Sequence, residues 1–191
     1  MSYYQTKILT SNPNKKQNVP GLFYSQNVDD NYIIYVALPS NYNPSDSKRY
    51  PVIYLLDGDW YFDGSHWRIS KGGVKGIISR FAEAGEMPEA ILVAIGYPNK
   101  NYRERDYLYP ADPRFIIQSG GGLKFYSFIK DELIPIVDAE FKTNNTNGRT
   151  IIGHSYGSYF SLFSLFESEL NNISLFKNFL IVSPKIGRAH V

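Results

Sequence analysis

The chain has 191 residues, of which 43% are hydrophobic, 16% aromatic and 20% charged, with a net charge of +2 at pH 7. That length suffices for one domain with a sizeable core, and so small and scattered a charge argues against nucleic acid or an anionic membrane as partner. With no cysteine, disulfides, thiol catalysis and cysteine-ligated zinc are excluded.

The opening "MSYYQTKILTSNPNKK" has no basic segment leading into an apolar run, and no later stretch approaches the ~20 apolar residues of a membrane span. A cytoplasmic location is the expectation. Residues 19–39 cluster Tyr, Ile and Val around "VDDN", which predicts an antiparallel hairpin. The polar "LPSNYNPSDSKRY" follows as a connection. "YPVIYLLDG" then reads as a buried strand stopped by Asp57-Gly58, and "EAILVAIGY" (89–97) as a second.

In "GLKFYSFIKDELIPIVDAEF", Phe125, Phe128, Ile129, Leu133 and Ile136 recur at helical spacing. Pro135 should distort or end that helix. "RTIIGHS" (149–155) is a third buried strand, "YGSYFSLFSLFES" an apolar helix, and "NFLIVSP" (178–184) a fourth strand. Buried strands alternating with helices predict an α/β fold whose mostly parallel sheet is covered on both faces.

Chemistry enters at "IIGHSYGSYF", where Gly153, Ser155 and Gly157 form a Gly-x-Ser-x-Gly pattern between strand and helix. Such a turn holds a serine hydroxyl clear of the backbone, and the small flanking residues let strand and helix approach closely. The helix N-terminus favours the negative charge that develops on a tetrahedral intermediate. The bland alternative is a glycine-bounded turn. The strand before the motif and the helix after it supply the context that the nucleophile reading requires.

Around this motif the chain resembles the esterase family of α/β-hydrolases, which includes esterase D-like enzymes, siderophore esterases of the enterobactin type and mycolyltransferases. The resemblance rests on "YPVIYLLDGDWYF", "ILVAIGYPN" with "YRERDYLYP", "GGGLKFYSFIKDELIPIVDAEF", "RTIIGHSYGSYFSL" and "FLIVSP", in that order. It implies an α/β-hydrolase fold and a serine carboxylic ester hydrolase that needs no metal or cofactor and acts on a small-molecule ester. Ser155 would be the nucleophile, with the backbone N–H groups of Asp59 and Tyr156 as the oxyanion hole. Two rivals stay open: an acyltransferase of the same fold and a non-catalytic binding domain. One departure is Ser158-Tyr159, where relatives commonly have Gly-Leu.

Trp60, Arg103 and Arg105 are candidate substrate contacts. Against this, Trp60 could simply be a buried aromatic, and the arginines of "YRERDYLYP" could tie down a loop through ion pairs, the role favoured for Asp106. The triad order in this fold is serine, acid, histidine. Of the three histidines, His154 sits inside the elbow pointing away from the pocket, and His66 precedes the serine. His190 lies in "KIGRAHV", which matches the translation of a common sequencing adapter, including its stop. The expectation is therefore an incomplete domain over 1–184, with 185–191 a translated adapter and the triad acid and histidine encoded beyond Pro184.

Overall fold

Runs of apolar residues without polar alternation must be buried on both faces, and they build the centre of the sheet. The computed structural model describes residues 4–10, 21–64, 72–112, 119–145 and 148–184. Every residue of β4 (Val52–Leu55) and β5 (Ile91–Gly96) is buried. With β6 (Arg149–His154) and β7 (Asn178–Val182) they form the parallel block β5-β4-β6-β7.

The antiparallel part extends beyond the anticipated hairpin. β2 (Phe23–Ser25) pairs with β3 (Asp30–Pro39), as expected, but β3 also pairs antiparallel with β1 (Tyr4–Leu9) and β5. The whole is a seven-stranded mixed sheet of order β1-β3-β5-β4-β6-β7, with β2 beside β3.

Two cores lie on opposite faces. One packs Ile53, Leu55, Leu92 and Ala94 of the sheet against Phe62 and Ile78, the latter on α2 (Gly73–Glu83). The larger packs Ile34, Val36, Tyr54, Val93 and Ile151 against α3 (Arg103–Tyr107), α4 (Gly122–Ser127), α5 (Ile134–Glu140) and α6 (Tyr156–Asn171). Tyr32 stacks on Phe128 at 4.7 Å in this core.

The distortion expected at Pro135 is found just before it. Residues Phe128–Leu133 form a π-helical turn between α4 and α5, and the Ile134 N–H reaches back to the Ile129 carbonyl. Proline lacks the N–H for a normal bond and its ring crowds the preceding turn, so the wider turn accommodates it. No helix among the described residues is long and apolar enough to cross a membrane.

Candidate active site

The chain passes from β6 into α6 at Ser155, whose φ of 58° and ψ of −114° no side-chain-bearing residue adopts without strain. Gly153 makes the turn sterically possible: a Cβ there would sit 2.3 Å from the carbonyl carbon and oxygen of Gly157. The Ser155 N–H donates to the Val182 carbonyl at 3.0 Å, and its carbonyl accepts from the Tyr159 N–H at 3.2 Å. Tyr156 is the first residue of α6, so its N–H lies at the helix's positive end.

A second turn faces the elbow. Beyond β4, the Leu56 N–H bonds to the Ile152 carbonyl, and Asp57 takes a left-handed φ of 54° that starts the short helix α1 (Gly58–Tyr61). Asp59 lies in the first turn of α1. The Asp57 carboxyl comes close to α6: a Cβ on Gly157 would be 3.4 Å from its Oδ2.

Arg103 straps the two turns together. Its Nη2 donates to Asp57 Oδ2 at 3.0 Å and to the His154 carbonyl at 3.1 Å. The guanidinium lies 4.9 Å from the Trp60 ring centre and 5.5 Å from that of Tyr156. Asp57 is fully buried, and burial pushes its carboxyl up to about 7, with Arg103 opposing and Asp59 adding to the rise. Burial also raises Asp59, against the pull of its own backbone N–H and of Asn101. His154 Nδ1 is 2.9 Å from the Tyr61 hydroxyl.

Ser155, Tyr156, Asp59, Trp60 and Arg103 thus converge on one end of the parallel block. Arg105 is engaged elsewhere. It ion-pairs with Asp30 at 2.7 Å and Asp106 at 2.6 Å, and its guanidinium covers Tyr102. Buried Asp106 also accepts from the hydroxyls of Tyr32 at 2.8 Å and Tyr97 at 3.0 Å. This is the loop-tying arrangement, joining α3 to the N-terminal hairpin.

His66, His190 and the segment 185–191 lie outside the described residues. A cleft of about 610 Å³ between β1, Tyr42 and α5 includes none of the elbow residues.

Sequence reasoning took Asp57 only as a strand stop and missed its pairing with Arg103. The one available signal was a carboxylate ending an apolar run. It marked Ser158 only as a departure from the family pattern and missed that its buried hydroxyl bonds to both Gly153 and Val182.

Comparison with known proteins identifies the family. The family model described as "Putative esterase" matches residues 25–187. The chain belongs to that esterase family. It is 30% identical over 185 residues to ferri-bacillibactin esterase BesA of Bacillus subtilis, covering 88% of this chain and 60% of BesA. It is 27% identical over 172 residues to the apo-salmochelin esterase of Escherichia coli, covering 83% of this chain and 48% of that protein.

Among solved structures, the BES protein from Bacillus cereus superposes with a TM-score of 0.68 at 29% identity, over 93% of this chain and 66% of that one. Enterobactin hydrolase IroE, at 23% identity and a TM-score of 0.70, shares the fold over 98% of this chain and 66% of that one. The chain therefore spans about 60% or less of these two curated relatives.

Proposed function

We propose that the complete protein is a serine carboxylic ester hydrolase working through an acyl-enzyme. The observation that carries this reading is Ser155, held at a strained φ of 58° where β6 meets α6 and facing the Asp57 turn. In the proposed reaction Ser155 Oγ attacks the ester carbonyl carbon while its proton passes to the triad histidine. The oxyanion is held by the N–H groups of Asp59 and Tyr156. Collapse of the intermediate expels the alcohol, which takes that proton, and water then releases the acid.

His154 is the sole histidine among the described residues and is engaged by Tyr61. We assign the triad acid and histidine to the length that the relatives have beyond this chain. The relatives are named for ferri-bacillibactin and apo-salmochelin, so esters of these siderophores are the substrates to try first.

The test uses protein expressed from the full open reading frame, with p-nitrophenyl acetate and the two siderophores as substrates. A fluorophosphonate probe should label Ser155, as read by mass spectrometry. Ser155→Ala should lose about 10⁴-fold or more in kcat. Hydrolysis that persists in Ser155→Ala, or labelling at another serine, would overturn the assignment.

A further inference from the structure

We infer that Ser158 is a positioning residue for the nucleophile: its buried hydroxyl clamps the end of β7 to the elbow and so holds Ser155 in place. The inference rests on the reading of Ser155 as nucleophile.

A strained residue persists only when its surroundings over-determine it. At Ser155 one restraint is the bond from its own N–H to the Val182 carbonyl. Val182 is the last residue of β7, and β7 is hydrogen-bonded on one side, to β6, among the described residues. Whatever fixes Val182 therefore fixes the amide of the nucleophile.

Ser158 does this. Its Oγ accepts the Val182 N–H at 2.8 Å. Its single proton is directed to the Gly153 carbonyl at 2.6 Å or the Val182 carbonyl at 2.7 Å. One fully buried oxygen thus joins the residue two before the nucleophile to the residue that binds the nucleophile's N–H.

Neighbouring serines behave differently. Ser161 Oγ bonds back to the Gly157 carbonyl and Ser164 Oγ to the Ser161 carbonyl, each at 2.9 Å and within the helix. Such back-bonds are ordinary for helical serines. The Ser158 hydroxyl leaves its helix for the neighbouring strand, at a position where a glycine would leave the Val182 N–H without this acceptor.

The experiment compares wild type, Ser158→Ala, Ser158→Gly and Ser164→Ala, all in protein from the full open reading frame. Amide hydrogen exchange is followed at Val182 and Ser155, and kcat, KM and Tm are measured with p-nitrophenyl acetate. In wild type both amides should be protected. Removing the hydroxyl should speed their exchange about tenfold or more. It should also lower kcat roughly ten- to hundredfold, the scale of a small misplacement of the attacking atom, with KM nearly unchanged.

Ser164→Ala, which removes an ordinary back-bond, should move Tm alone. Unprotected Val182 and Ser155 amides in wild type would overturn the inference without any variant. So would a kcat in Ser158→Ala or Ser158→Gly that matches Ser164→Ala. If wild type hydrolyses no ester and the probe spares Ser155, the nucleophile reading fails. The exchange data then still decide whether the clamp exists.

Discussion

Arg103→Met should destabilise the protein by an amount that grows with pH, because its partner Asp57 is a buried carboxyl held up at about 7 from an ordinary 3.8. Between those values the folded state keeps a proton that the unfolded chain has released. The group's stabilising contribution is complete below pH 3.8 and is lost as pH rises through 7, about 4 kcal/mol in all.

Arg103 lowers the Asp57 value, so its removal pushes that value higher still. At pH 6 both proteins hold Asp57 largely neutral. There the variant loses the bonds to the neutral Asp57 carboxyl and the His154 carbonyl and the stacking on Trp60 and Tyr156, roughly 1–3 kcal/mol. Above pH 7 wild-type Asp57 ionises against the guanidinium, whereas in the variant it cannot. The gap then widens by up to about 1.4 kcal/mol per pH unit, reaching roughly 3–5 kcal/mol by pH 9, the usual penalty for orphaning a buried ion.

The assay is urea unfolding of both proteins, followed by tryptophan fluorescence at pH 6 and pH 9. Other titrating groups cancel in the difference. Equal losses at the two pH values would refute the argument that Asp57 is a buried carboxylate charged against Arg103.

Arg105→Met should cost about 3–5 kcal/mol by stranding buried Asp106, while KM for an anionic ester stays unchanged. A raised KM with unaltered stability would return Arg105 to substrate binding. Gly153→Ala should give no soluble enzyme, because the added Cβ would meet Gly157 backbone atoms at 2.3 Å that no rotamer change can move; normal yield and activity would contradict this. The 191-residue chain expressed alone should self-associate along β7, where Leu180 and Val182 are 52% and 41% exposed. A monomer with a sharp, reversible melt in analytical ultracentrifugation and calorimetry would count against that.

The central strands were legible because burial on both faces leaves uninterrupted apolar runs, as in Ile91–Gly96. The strand β1 was not: it is an edge strand in which Gln5, Thr6, Lys7 and Ile8 are exposed, so no apolar pattern marks it. The helix α2 went unread for a related reason, since Gly73 and Gly76 weaken its propensity while Ile77 and Phe81 stay exposed.

The serine turn could be recognised because its steric demand falls on adjacent residues. Asp57 and Arg103 could not be paired in advance. They stand 46 positions apart, and only the closure of β4 beside β5 and β6 brings them together. The same holds for Ser158, an ordinary helical serine until β7 lies against it.

The π-helical turn before Pro135 carries a lesson about the order in which this sequence can change. The turn has one residue more than an α-helix would use for the same rise, so removing one codon at Lys130 or Asp131, on its outer side, would restore regular winding without rotating Phe125 or Val137 away from the core. With proline still at 135, regular winding drives its ring into the carbonyl four residues back, at about 3 kcal/mol or more. With alanine there first, the deletion meets no such obstacle. The two changes form a one-way path: the substitution opens the route to the shorter helix, and a lineage that keeps the proline is held to the extra residue.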